Sequence, residues 1–345
     1  MKMCIFTSLI TIDTLCELNL NFKKRYSEFY LKMDKIYNQY VEKKARKVSK
    51  KYAKRWFSTV GLFLVMYALF VLLIPYVLHL YLVETKSSIL NDHILYYGIY
   101  FIILTFGTLI PFFLMRKTFK ITVKKFTRNT SASFKDLFVQ TIVVFTICIA
   151  MIYASNIIFS RFYIESKLLS SIGLTYDDAN LDNVLYVFML VFATPLIEEY
   201  AFRGVLISSL SKYGKAFAMY MSAMFYALAH LNFVEFIPAF AMAFLLGKIS
   251  LRYKSIIPTI VIHILFNALI YALCVIPASI TQYMAYGLVA IIGVAVYLII
   301  SGRYEFIKIQ KARNAKTAYS LFLSRPTVII AMFVMIADTI LFMFF

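Results

Sequence analysis

The chain has 345 residues, 62% of them hydrophobic and only 15% charged, with 33 Phe and 26 Tyr. A soluble protein is roughly 45–50% apolar and about a quarter charged, so a water-soluble fold is excluded and an all-α polytopic membrane protein is indicated. Thirty-six Lys and Arg against 17 Asp and Glu give +19. The basic residues fall between apolar stretches, so this charge reads as membrane topology and anionic headgroups and not as a nucleic-acid surface.

The N-terminus does not resemble a cleaved signal. The apolar run Cys4 to Ile12 is short and is followed by Asp13 and Glu17, whereas a signal core needs a cleaner stretch and a small-residue cleavage site. From Lys23 to Arg55 the segment is basic, with interleaved Tyr26, Phe29, Tyr30, Tyr37, Tyr40, Tyr52 and Trp56. We therefore expect residues 1–57 to form a cytoplasmic arm lying against anionic lipid.

A spanning helix needs about 20 mostly apolar residues. Nine stretches qualify as candidates: 58–83, 94–115, 137–160, 183–211, 214–231, 235–250, 255–275, 277–300 and 327–345. The fourth is long and carries charges, and the sixth is short, so broken or tilted helices are expected there. Basic connections (the arm, 116–136, Lys212 and Lys215, Lys248 to Lys254, 301–325) alternate with poor ones (84–93, 161–182). By the positive-inside rule this puts the N-terminus in the cytoplasm and the C-terminus outside. The expected organisation is N-terminal transmembrane helices over 58–160, an external loop over 161–182, a functional core over 183–275 and C-terminal helices over 276–345.

Four cysteines (Cys4, Cys16, Cys148, Cys274) lie far apart with no CxxC, so neither a disulfide framework nor a sulfur-ligated zinc is expected. No repeat or pair of matched halves is visible, which weighs against an inverted-repeat transporter.

Ionisable groups inside a bilayer cost roughly 2.5–3.5 kcal/mol each on insertion scales, so their clustering is informative. The fourth candidate span holds Glu198, Glu199 and Arg203, the fifth ends at Tyr226 and His230, and the seventh holds His263 and Asn267. Two of the only four histidines are in this set. Glu199 and Arg203, four residues apart, share a helix face and can pair. Glu198 is rotated about 100° from Glu199 and points elsewhere. A carboxylate in apolar surroundings beside another carboxylate is a stronger base than one in water, as general-base chemistry requires. His263 and Asn267 also share a face, and two donors aimed into one cavity suit a developing oxyanion. Taken singly, Glu199 with Arg203 is a structural ion pair, His230 an interfacial residue, and His263 with Asn267 an interhelical contact. Their joint occurrence points to one site.

The stretch Glu198 to Arg203 resembles the EExxxR motif of the CAAX prenyl protease and bacteriocin-processing (CPBP, or Abi) family of intramembrane proteases, and His263 to Asn267 resembles its HxxxN motif. The run Gly247 to Pro258 is similar to the family's segment before HxxxN. The family's FxxxH motif has Tyr226 in the Phe position before His230, which preserves an aromatic ring. The resemblance covers about 183–275. It implies that Glu198 is the base, that His230 orients the water, and that His263 and Asn267 stabilise the tetrahedral intermediate. Glu199 and Arg203 then hold the helix and bias the charge of Glu198, with Tyr226 in support. It also implies endopeptidase hydrolysis of a hydrophobic or membrane-bound peptide without a covalent acyl-enzyme.

No cofactor is expected, because HExxH is absent. The alternative is a zinc ion on Glu198, His230 and His263 with an open position. Rival classes are an ion-coupled transporter and a non-catalytic immunity or scaffold protein that retains the protease fold. The Phe/Tyr/Ile/Lys-rich composition hints at an AT-rich bacterial genome and favours a bacterial propeptide over a prenylated substrate.

Overall fold

The computed structural model describes residues 50–122, 133–160, 187–275, 278–301 and 315–344. The expected external loop 161–182 and nearly all of the basic arm lie outside the described residues. The chain divides into two units, Met1–Trp56 and Phe57–Phe345. Only the end of the first is described; it is helical, and Tyr52 and Trp56 place their ring centroids 6.0 Å apart one turn from each other.

Every described element is helical. Helix α1 (Lys50–Ala68) runs through a π-helical turn, Leu69–Leu73, into α2 (Ile74–Glu84). Helices α3 (His93–Thr118) and α4 (Phe134–Ser160) follow. The fourth stretch, expected to be tilted or broken, is helical without interruption over 188–210 and alternates between π and α hydrogen-bond register: Phe188–Ala193 (π), α5 (Thr194–Glu198), Glu199–Leu206 (π) and α6 (Ile207–Leu210). The remainder comprises α7 (Lys215–Leu228), α8 (Phe233–Tyr253), α9 (Ile257–Val275), α10 (Ala278–Ile300), α11 (Ala315–Leu323) and α12 (Pro326–Phe344).

Four helical stretches among the described residues are long and apolar enough to cross a membrane: Lys51–Glu84, Leu95–Thr118, Phe134–Phe159 and Phe233–Tyr253. A fifth is obtained if Thr317–Leu323 and Pro326–Ala337, bent by 69°, make one broken span. The protein is thus a multi-helix membrane protein. All nine expected stretches contain helix, but several fall short of spanning length. Helix α7 has 14 residues, which at about 1.5 Å per residue reaches only about 21 Å.

Two expectations about particular segments need correcting. The sixth stretch is not short or broken, since α8 is one helix of 21 residues despite Pro238. Pro238 removes the N–H that would bond the Val234 carbonyl, four residues earlier, and Ser155 Oγ of α4 donates to that carbonyl at 2.5 Å instead. The basic segment 301–325 is not all loop, because α11 lies within it. Its Phe322 is fully buried against Phe57 (5.3 Å between centroids) and Phe217 (5.6 Å), an inward face that the surrounding charges obscure in the sequence.

The core lies between α4, α8 and α9, where Val144, Cys148, Ile149, Met242, Leu246, Ile262 and Phe266 pack together. Small residues allow close approach, as membrane packing requires. A Cβ on Gly61 of α1 would fall 2.7 Å from the Val328 backbone nitrogen at the start of α12. A Cβ on Gly247 of α8 would fall 2.9 Å from Met219 Cγ of α7.

Candidate active site

Three neighbouring elements bring the expected residues together: the π/α helix 188–210, the end of α7, and α9. The register change has a local cause. In the first π segment the Thr194 N–H donates five residues back, to the Met189 carbonyl. Continuing that register would require an N–H at residue 195 for the Leu190 carbonyl, and residue 195 is proline. Asn267 Nδ2 of α9 donates to the orphaned Leu190 carbonyl at 2.9 Å. Asn267 therefore ties α9 to the π/α helix and keeps its second amide hydrogen free of this bond. Ser222 Oγ of α7 donates to the Phe202 carbonyl at 3.0 Å and fixes the third element.

The floor of the site is dry. Glu199 and Arg203 are fully buried side chains, with Nη1 3.0 Å from Oε1. His263 Nδ1 lies 2.9 Å from the same Oε1. A carboxylate can only accept, so this ring nitrogen carries the proton and donates it, fixing the orientation of the imidazole and directing Nε2 into the site. Arg203 Nε and Nη2 find no hydrogen-bond partner among the described residues. Its guanidinium carbon instead sits 4.5 Å from the centroid of the Tyr226 ring, a desolvated cation–π contact worth about 2 kcal/mol.

Tyr226 does more than fill an aromatic position. Its hydroxyl donates to Glu198 Oε2 at 3.0 Å and lies 3.5 Å from His263 Nε2. Glu198 Oε2 and His263 Nε2 are themselves 3.7 Å apart. The Tyr226 ring stands edge-on to Phe202 (5.2 Å) and 5.0 Å from the His230 ring. Behind it, Phe202 packs on Phe112 (5.4 Å) and Tyr67 (5.8 Å), so α1 and α3 wall the site with aromatic rings.

The mouth is more open, although His230 Nε2 itself is a buried atom. Glu198 keeps 24% of its side-chain exposure and His230 31%, against 2% for His263. His230 follows the end of α7, where Leu231 takes a left-handed φ of 54° and Asn232 accepts from the Val234 N–H at 2.8 Å to start α8. A branched residue in that conformation is strained, a feature that concentrates at functional turns. His230 Nδ1 faces Glu235 Oε2 of α8 at 3.6 Å, and Nε2 has no partner among the described residues.

Five of the seven expected residues, Glu198, Glu199, Arg203, Tyr226 and His263, are joined by direct contacts; His230 adjoins them through the Tyr226 ring, and Asn267 reaches the same helix at the Leu190 carbonyl. Sequence reasoning missed the Tyr226 hydroxyl, the role of Glu199 as acceptor for His263, and Glu235. The spacing His230 to Glu235 across a turn was the available signal for the last of these. Among the described residues no three His, Cys, Asp or Glu are grouped so as to hold a metal ion.

No curated protein and no solved structure matches the chain. A family model does: residues 180–269 match the family described as Type II CAAX prenyl endopeptidase, Rce1-like. That segment, about a quarter of the chain, holds Glu198, Glu199, Arg203, Tyr226, His230, Glu235, His263 and Asn267, and it is this segment that is similar to the CAAX protease family, as its motifs implied.

Proposed function

We propose that the protein is an intramembrane endopeptidase that hydrolyses a peptide bond of a hydrophobic or membrane-bound peptide with a water activated by Glu198. The observation that carries this reading is a base that is still reachable, Glu198 at 24% side-chain exposure, standing over a buried, charge-paired floor. Beside it, His230 carries a buried Nε2 with no partner among the described residues, a place where a held water would be satisfied. Glu199, Arg203 and His263, which set geometry, are buried.

Glu198 takes the proton of a water held at the mouth, and the unpartnered Nε2 of His230 orients that water. The resulting hydroxide attacks the carbonyl carbon. Charge developing on the carbonyl oxygen is met by His263 Nε2, once it is protonated, and by the free amide hydrogen of Asn267. Donors pre-set in a water-poor site are the largest contribution in acyl chemistry. No covalent enzyme intermediate is required, and a bacterial propeptide is the preferred substrate class.

In this reading the chain crosses the cell membrane nine times, with the basic arm in the cytoplasm and the C-terminus outside. The alternation of basic and poor connections supports that orientation. The function is tested by incubating the purified full chain in lipid nanodiscs with two internally quenched peptides. One is an unmodified hydrophobic peptide, and the other a farnesylated peptide ending in a CaaX sequence. Cleavage of either supports the reading, cleavage of the unmodified peptide alone supports the propeptide class, and cleavage of neither overturns the function.

A further inference from the structure

We propose that the Tyr226 hydroxyl is a proton relay between the base Glu198 and the histidine His263. This inference rests on the endopeptidase reading and adds a residue whose hydroxyl the family motif does not call for, since that motif has Phe at this position.

The geometry motivates it in three ways. The phenol oxygen is within 3.0 Å of Glu198 Oε2 and 3.5 Å of His263 Nε2, so one hydroxyl bridges two groups that stand 3.7 Å apart. Tyr226 is 2% exposed and His263 2%, so the bridge is shielded from bulk water and a proton on it passes between protein groups. The phenol is also held rigidly, with Arg203 over its face, Phe202 against its edge and His230 beside it.

The relay answers a requirement that the floor creates. With Nδ1–H of His263 committed to Glu199, Nε2 of a neutral ring is a lone pair and cannot donate to an oxyanion. It must first gain a proton. When Glu198 removes a proton from water, it becomes a neutral acid. Its O–H then donates to the Tyr226 oxygen as the Tyr226 O–H donates to His263 Nε2. The outcome is a regenerated Glu198 carboxylate, an unchanged neutral phenol and an imidazolium with N–H on both nitrogens. One proton has left water and one has arrived at Nε2, and charge is conserved. That imidazolium donates to the oxyanion and later passes the same proton to the leaving amine nitrogen as the C–N bond breaks. Glu199, already paired with Arg203, faces the imidazolium from the π/α helix and Glu198 faces it from across the bridge.

The test uses the full chain in nanodiscs with whichever internally quenched peptide it cleaves. Tyr226→Phe keeps the ring and removes only the hydroxyl. The expected result is a fold retained by thermal melt, a KM within about twofold of the parent, and a kcat lowered about 100-fold, the low end of the range for lost proton transfer. Rates in mixtures of H2O and D2O should fall on a bowed curve for the parent and on a straight line for Tyr226→Phe, because one moving proton is lost. A purely structural role would not change that curvature. Should Tyr226→Phe unfold, a fluorotyrosine placed at 226 by codon suppression preserves shape and alters acidity; a changed kcat at constant KM supports the relay, and an unchanged kcat overturns it. Parental kcat and curvature in folded Tyr226→Phe overturn the relay alone if Glu198→Gln is inactive. Full activity of Glu198→Gln overturns the endopeptidase mechanism beneath it.

Discussion

His263 Nδ1 and Arg203 Nη1 converge on one atom, Glu199 Oε1, at 2.9 and 3.0 Å. Glu199 is therefore both half of a buried ion pair and the group that fixes the orientation of the histidine. Removing its charge does two separable things. Glu199→Gln leaves Arg203 buried without its anion, which costs about 3–5 kcal/mol in comparable buried pairs, and it loosens the imidazole. Thermal and denaturant melts of the detergent-solubilised variant should show the loss of stability, and the folded fraction should show a lower kcat. A variant that is destabilised yet turns over at the parental rate when folded would remove Glu199 from the positioning of His263.

Asn267 and Pro195 are coupled through the Leu190 carbonyl, although they are far apart in sequence. Asn267→Ala orphans that carbonyl, whereas Pro195→Ala supplies a backbone N–H that can serve it. Asn267→Ala should destabilise the parent by roughly 0.6–1.7 kcal/mol, the range measured for interhelical bonds in membranes, and should cost less in the Pro195→Ala background. A double-mutant cycle of unfolding free energies measures this directly. Equal costs in both backgrounds would mean that the proline does not create the need for Asn267.

Glu235 faces His230 at 3.6 Å across a strained turn. Contacts of this kind in unliganded sites are often long and tighten when substrate is bound. Glu235→Gln should therefore lower kcat, by about tenfold, with KM nearly unchanged, and Glu235→Asp should recover part of the loss. Steady-state kinetics on the cleaved peptide check this. A change confined to KM would make Glu235 a substrate contact.

Much of this site was legible in the sequence, and the legible part has a common reason. Charged and amide side chains are so costly in a bilayer that Glu198, Glu199, Arg203, His263 and Asn267 stand out against apolar neighbours, and helical spacing sorts them onto faces. Helix placement was similarly readable from 20-residue apolar runs such as 94–115, inside α3. What could not be read were the contacts between elements. Nothing near Tyr226 in sequence shows that its hydroxyl meets Glu198, 28 residues away. Nothing near Ser155 shows that it will satisfy a carbonyl freed by Pro238. The helical register at 188–206 was hidden as well, because a π segment shifts hydrogen bonding by one residue without changing composition. Helix α11 was missed because Lys and Arg around it resemble a loop while Phe322 faces inward.

Proton transfer and charge stabilisation both fall to side chains in this mechanism. Enzyme stripped with a strong chelator, and confirmed metal-free by elemental analysis, should keep most of its rate of peptide cleavage. Activity lost on stripping and restored only by stoichiometric zinc would make Glu198, His230 and His263 ligands and overturn the side-chain mechanism.

The most direct measurement compares the parent with Glu198→Gln in nanodiscs, following the quenched peptide by fluorescence and its fragments by mass spectrometry. The amide can still accept the Tyr226 hydroxyl but cannot take a proton from water. The expected result is an unchanged melting profile, retained peptide binding and cleavage slowed by at least about 100-fold. Cleavage at the parental rate by folded Glu198→Gln would contradict the assignment of Glu198 as the base that activates water.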